Sequence, residues 1–210
     1  MRSLTEEVER IVAASMTVFG WREGDALAEI VLASWGLRTD ATIVEVGVFM
    51  GRSTVLLAGA RKLRGSGKVH CVDPFDCSGD AFSIPHYVHG LKATGSESLE
   101  DVFRQNVSRL EVEPWIEIHR GASQDVGAGW SLPIDLLLLD ADQSPTGARE
   151  AFDTWTPLLS TGGTIILGNV HDHPRVGHDG NSRLAAEELT PRRYSAIRRV
   201  GSTAFAVKQF

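Results

Sequence analysis

Two cysteines, Cys71 and Cys77, are all that the 210 residues contain, and they do not form a C-x-x-C motif, so a disulfide framework is excluded. No apolar run approaches the length of a membrane span. The first ten residues are polar and lack the apolar centre of a secretion signal. A soluble, cytoplasmic chain is expected, with no membrane partner. Positive charge is also scarce. Lys and Arg total 21 against 27 Asp and Glu, a net charge of −6, which disfavours a phosphate backbone as partner. The nearest approach to a basic cluster, Arg192, Arg193, Arg198 and Arg199, reads as the flank of an exposed strand. Internal repeats and low-complexity segments are absent. So is the G-x-G-x-x-G fingerprint of dinucleotide sites.

What is present fits one ordinary domain over residues 1–210, with 42% hydrophobic residues to fill a single core. Residues 1–38 read as N-terminal helices. Leu4, Val8, Ile11, Val12 and Met16 recur at helical spacing with Thr5 as cap region, and a second helix fits 25–35 ahead of Gly36. The pattern then alternates. Strands are expected at 41–46, 68–73, 115–119, 134–139 and 163–167, with helices at 53–63, 99–110, 123–130, 148–159 and 183–189. The run 134–139 is apolar but for Asp135, as suits a strand buried on both faces. Strands at 194–199 and 203–208 flank Gly201-Ser202 and form an antiparallel hairpin. Strand-helix alternation builds right-handed β-α-β units, hence an α/β, Rossmann-like, doubly wound and mostly parallel seven-stranded sheet. Residues 74–98 have little periodicity and read as a long loop acting as a substrate lid, with Phe82, Ile84, Tyr87 and Leu91 as its inner wall.

In such a sheet a ligand lies beyond the carboxyl ends of the strands. The first strand ends in Glu45-Val-Gly47-Val-Phe-Met-Gly51-Arg-Ser53, where glycines let backbone approach a ligand and the next helix offers free N–H groups. The second strand ends in Asp73, placed to take the hydroxyls of a ribose.

The run Glu45-x-Gly47-x-x-x-Gly51-x-Ser53 resembles the first motif of the catechol and caffeoyl-CoA type O-methyltransferases. Gly121-Ala122-Ser123-Gln124-Asp125 resembles the catechol enzymes closely, and Asp140 and Gly162-Gly163 fall where that family has its later motifs. The segment from Val72-Asp-Pro-Phe75 to Gln143 is also similar to a bacterial branch of the superfamily that modifies sugars or secondary metabolites. The likeness spans about residues 40–170 and implies a class I methyltransferase dependent on S-adenosylmethionine (SAM), a fold that ends in an antiparallel hairpin. It implies that Gly47 and Gly51 line the methionine part of SAM, that Ser53 binds its carboxylate, and that Glu45 orients the loop. It puts Asp73 on the ribose, Ala122, Ser123 and Gln124 around the adenine, and Asp140 at the transfer site.

A hydroxyl acceptor needs a base or a metal ion to take its proton. The related O-methyltransferases hold a divalent ion with Asp, Asp and Asn. Here Asp140 and Asn169 stand at two of those positions, but Gly168 replaces the second carboxylate and Gln143 the lysine base. Two oxygen ligands hold Mg²⁺ poorly, and Asp142, His171 or Asp172 would have to complete the set. Without a metal, the base is expected in Val170-His171-Asp172-His173, with His171 first, His173 second and Asp172 as orienting carboxylate. His178 is a weaker candidate, and His86 and His89 lie in the 74–98 segment. The expected reaction is O-methylation of a small hydroxylated acceptor, a sugar or secondary metabolite. The competing readings are an NAD-type oxidoreductase, a SAM-binding protein without catalysis, and an RNA methylase. The oligomeric state stays open, a homo-oligomer included.

Overall fold

The computed structural model describes residues 2–21 and 24–210. Two helices, α1 (Leu4–Ser15) and α2 (Ala26–Trp35), precede the alternating part. The chain caps α1 at Ser3, two residues before the expected Thr5. The Ser3 hydroxyl accepts from the Glu6 N–H, and the Glu6 carboxylate accepts from the Ser3 N–H at 2.7 Å. A capping box needs its glutamate three residues after the cap, and Ser3 is the residue so placed.

From Thr42 the order is β1 (Thr42–Val46), α3 (Arg52–Arg64), β2 (Lys68–Asp73), α4 (Ser83–Ala93), α5 (Leu99–Arg109), β3 (Ile116–Arg120), α6 (Ser123–Ala128) and β4 (Ile134–Leu139). Then follow α7 (Pro145–Trp155), β5 (Leu159–Leu167), α8 (Gly180–Glu187), β6 (Tyr194–Val200) and β7 (Thr203–Lys208). The strands form one sheet in the order β3-β2-β1-β4-β5-β7-β6, parallel except where β7 runs antiparallel to β5 and β6. The fold is therefore the expected Rossmann-like sheet with its terminal hairpin. Two local readings change. Residues 74–98 are not loop throughout, since α4 occupies their centre. β5 starts at Leu159 rather than at the expected 163, so Gly162-Gly163 lies inside it; its pairing with β4 shifts register between Ile134 and Leu136, and Gly162 takes a φ of 80°.

Side chains alternate across the central strands. Ile43, Leu136 and Leu138 pack toward α1, α2, α3 and α5, whereas Val44, Val46, Leu137 and Leu139 pack toward α7 and α8. Two apolar layers sandwich the sheet, which explains the unbroken apolar run in β4. β1 is bonded to β2 on one side and β4 on the other, and the chain crosses in opposite directions from it, so a crevice opens at its carboxyl end. No helix among the described residues is long and apolar enough to cross a membrane.

One buried cation ties the helices to the sheet's other end. Arg61 of α3 is fully buried and donates to the carbonyls of Ser34 (2.8 Å), Arg38 (3.0 Å) and Ser66 (2.8 Å). Arg61→Ala orphans these carbonyls and leaves a cavity, so it is expected to lower the unfolding free energy by about 3 kcal/mol or more. Urea denaturation checks this, and a change within about 0.5 kcal/mol, the range of an ordinary surface substitution, would contradict it.

Candidate functional site

The loop from Gly47 to Gly51 joins β1 to α3 and is gripped by two buried carboxylates. Glu45 accepts hydrogen bonds from the hydroxyls of Ser53 and Thr54, the latter at 2.6 Å. Asp73 Oδ2 accepts from the backbone N–H groups of Val48 (2.8 Å) and Phe49 (3.0 Å), and its Oδ1 accepts from Phe75 N–H (2.7 Å). Phe49 is thereby held at a φ of 49°, a left-handed conformation unusual for an aromatic residue. Gly47, at a φ of 85°, crosses the end of β4 so closely that a Cβ would lie 2.6 Å from the Asp140 carbonyl oxygen and 2.7 Å from Ala141 Cα. Backbone cannot yield there, so only glycine fits.

Two cavities open around this loop. The first, of about 360 Å³, lies over the carboxyl ends of β1 and β2 and is lined by Gly47, Asp73, Ala122, Ser123, Gln124 and Asp140, among others. The second, of about 320 Å³, lies between the loop, α4 and the segment after β5. Its walls are rich in rings. Phe49 packs on Tyr87 and Trp21 with centroids 5.1 Å away in each case, and Phe19, Phe82 and His86 complete that side. Gly47, Phe49, Tyr87 and Asp140 line both cavities, so the two meet there.

On the far wall of the ring-lined cavity a hydrogen-bonded chain crosses three segments of sequence. Buried Asp80 opens α4, accepting from the N–H groups of Phe82 and Ser83 and from the Ser83 hydroxyl. Its Oδ1 lies 3.0 Å from His178 Nδ1. His178 Nε2 lies 2.9 Å from Asn169 Nδ2, and Asn169 Oδ1 lies 2.9 Å from His171 Nε2. Burial pushes the Asp80 carboxyl up, but the Ser83 bonds and His178 outweigh it and hold it below the usual carboxylate value. With both imidazoles neutral, these distances suit one pattern: His178 Nδ1–H donates to Asp80, His178 Nε2 accepts from the Asn169 amide, Asn169 Oδ1 accepts from His171 Nε2–H, and His171 Nδ1 keeps its lone pair.

The structure brings most of the sequence-expected residues to these cavities, with changes of detail. Gly51 lines neither: at a φ of 96° it caps α3, and its bare α-carbon makes room for Phe103, 3.1 Å from where a Cβ would stand. Glu45 is behind the wall, and the Ser53 hydroxyl donates inward to it, leaving the helix N-terminal N–H groups as the donors facing the cavity. The Ser123 hydroxyl accepts from Trp155 Nε1 at 3.0 Å, and Gln124 donates to Glu150 at 3.0 Å. His173 is exposed and lines neither cavity, and its neighbour Asp172 forms a two-pronged pair with Arg199, both bonds 2.7 Å. Asp172 therefore does not orient His171; Asn169 does. His89 and Ile84 lie off the wall, and His178, taken from sequence as a weaker candidate, is at its centre. Asp80 was missed. Its signal was local, a helix-opening Asp with Ser three residues on, but its partner is 98 residues away.

The expected metal ligands do not fit a hard cation. Asp140 Oδ1 accepts from Gln143 Nε2 (3.1 Å), the Asn169 oxygen faces an imidazole nitrogen, and Asp142 accepts the Ser144 N–H at the start of α7 (2.7 Å). Among the described residues no three His, Cys, Asp or Glu ligand atoms converge here. Hard cations need several oxygen ligands together.

Burial raises the Asp73 carboxyl, and its three backbone N–H partners pull it back only in part. A raised value means that its contribution to stability is complete below the unfolded value near 3.9 and is lost as the pH rises through the folded one. A carboxyl-carbon NMR titration of Asp73 is expected to show a midpoint above about 3.9; a midpoint at or below it would contradict this reading.

Solved structures share the architecture. The SAH-bound methyltransferase PaMTH1 from Podospora anserina matches with a TM-score of 0.65 at 12% identity, covering 98% of this chain and 88% of that one. An O-methyltransferase from Bacillus cereus in complex with SAH matches at 0.56 and 24% identity, over 99% and 92%. An rRNA methylase from Streptococcus thermophilus matches at 0.59 and 14% identity, over 91% and 100%. At such identities the likeness is one of fold. The sequence itself goes further: the profile of the methyltransferase domain family matches residues 44–170, which carry β1 to β5, both carboxylate clamps and the point where the cavities meet. With more than half of its length covered by that match, the chain belongs to the methyltransferase domain family.

Proposed function

We propose that the protein transfers the methyl group of SAM to a hydroxyl of a small acceptor with a flat, largely apolar framework. One observation carries this reading: two cavities, one over the sheet crevice with Asp73 in its wall, the other ring-lined, share a wall at Gly47, Phe49, Tyr87 and Asp140. Methyl transfer from a sulfonium is an in-line displacement, so donor and acceptor must occupy contiguous sites with a gap between them. The first cavity suits the adenosine of SAM, with Asp73 beneath the ribose and Ala122, Ser123 and Gln124 at the adenine end; Ser53 at the start of α3 lines the second cavity, so the methionine carboxylate extends across the shared wall toward it. Asp73 keeps acceptor capacity on Oδ1, which takes one backbone bond. The rings of the second cavity favour a planar acceptor over a sugar, whose many hydroxyls would each need a polar partner.

SAM supplies an activated methyl and a good leaving group; the protein's work is to align the acceptor and remove its proton. His171 Nδ1 is the base. As the oxygen attacks, its proton passes to Nδ1, while Nε2–H stays bonded to Asn169. The anchor is Asp80, a positioning residue that acts through His178 and Asn169 on the tautomer of His171. Asp140 lines both cavities and sits where the methyl crosses. Tyr87 faces it from α4 as a neutral phenol, its ionisation pushed far up by burial.

Calorimetry is expected to show SAM and S-adenosylhomocysteine binding with micromolar Kd, about −7 to −8 kcal/mol; no binding of either overturns the proposal. Turnover is read as S-adenosylhomocysteine formed from SAM in the presence of each of a panel of small phenols as acceptor. His171→Ala is expected to cut kcat about 100-fold with SAM affinity kept. Asp80→Asn should lower kcat while leaving the KM for SAM unchanged, which a merely structural role would not do. A wild type that stops in EDTA and recovers with Mg²⁺, beside a His171→Ala variant of nearly full rate, would show metal activation instead.

A further inference from the structure

Away from both cavities, the edge of the sheet carries a second constellation. His70 on β2 stands opposite Glu117 on β3, and His119 lies two residues further along the same face. His70 Nδ1 and His119 Nε2 are 3.0 Å apart. The Glu117 oxygens lie 3.9 Å from the first and 3.7 Å from the second. A hydrogen bond between the two imidazoles uses one proton and leaves the carboxylate beyond hydrogen-bond reach of both rings, although it is aimed at both. The spacing is that of ligands around an ion: donors about 2.0–2.2 Å from a tetrahedral zinc stand roughly 3.3 Å from one another. The side chains of His70 and His119 are 15% and 26% exposed, that of Glu117 52%, so the imidazoles form the floor and the carboxylate the open side. Burial moves His70 toward its neutral form, the form that ligates.

The geometry points to a binding site for a borderline divalent transition metal, zinc above all, held by His70 Nδ1, His119 Nε2 and a Glu117 oxygen, with water in the fourth position. Two imidazoles and a single carboxylate suit Zn²⁺ and its neighbours and not Mg²⁺ or Ca²⁺. The site is a clip rather than a reaction centre. It joins edge strand β3 to β2, and Trp130 sets its ring edge-on against both imidazoles, at 5.0 and 5.2 Å. Trp130 in turn packs on Trp155, which donates to Ser123 on the wall of the first cavity. A metal here would stiffen the side of the molecule from which residues 121–124 emerge. The donors are all present in the chain, and nothing in the transfer chemistry uses them.

The test is calorimetry and thermal melting of the full, untagged protein with ZnCl₂. One saturable equivalent is expected, with a rise in melting temperature and no competition from millimolar Mg²⁺. His119→Gln and His70→Gln should each weaken that equivalent at least tenfold, the scale of losing one of three ligands, with circular dichroism unchanged. His171→Gln, in the other histidine cluster, should retain it. The imidazole NMR signals of His70 and His119 should shift together on titration. Absence of a saturable equivalent in the wild type, or equal zinc affinity in wild type and His119→Gln, would overturn the assignment.

Discussion

The bonds from Asp73 to the backbone of Val48 and Phe49 are the constraint on which the site depends. They hold an aromatic residue in a left-handed conformation that it would not adopt alone. Phe49 in that position is the partition between the two cavities and the hub of the ring cluster with Trp21 and Tyr87. Glu45 grips the far end of the same loop through Ser53 and Thr54. Both acids sit in or at the end of neighbouring central strands, so the loop inherits the rigidity of the sheet. Gly47 supplies the complementary requirement, a backbone thin enough to pass over Asp140.

A second non-glycine residue in the left-handed region, Asn169 at a φ of 59°, does for the opposite wall what Phe49 does for the partition. Its amide faces His178 with the nitrogen and His171 with the oxygen, and so links the two imidazoles. Where relatives of the catechol type have a second metal carboxylate and a lysine, this chain has Gly168 and Gln143, and Gln143 bonds to Asp140. In the proposed reaction the proton-accepting role falls to His171, which lines the ring-lined cavity and bonds to Asn169.

The sheet was legible from sequence because its strands are short apolar runs bounded by turn residues, and a strand buried on both faces leaves little choice of location. The glycine-rich turn, Asp73 and the 121–124 loop were legible for the same reason: each follows a strand end. The segment 74–98 reads as loop because α4 is short and holds Pro85 and Gly90, although Ile84, Tyr87, Val88 and Leu91 do fall at helical spacing. The Asp80–His178 pair could not be read at all, since no periodicity links positions 98 residues apart. Gly51 lines neither cavity, and its φ of 96° and the nearness of Phe103 each call for glycine there. His173 lies outside both cavities, on the exposed segment where Asp172 pairs with Arg199.

The most direct test of the account is a crystal structure of the S-adenosylhomocysteine complex. It should show the adenosine between Asp73 and the 122–124 segment and the sulfur at the shared wall of Gly47, Phe49 and Asp140. The sulfur should face the ring-lined cavity, with His171 Nδ1 open to that same space. S-adenosylhomocysteine bound elsewhere, or bound with its sulfur turned from that cavity so that no acceptor beside His171 could reach it in line, would contradict the account.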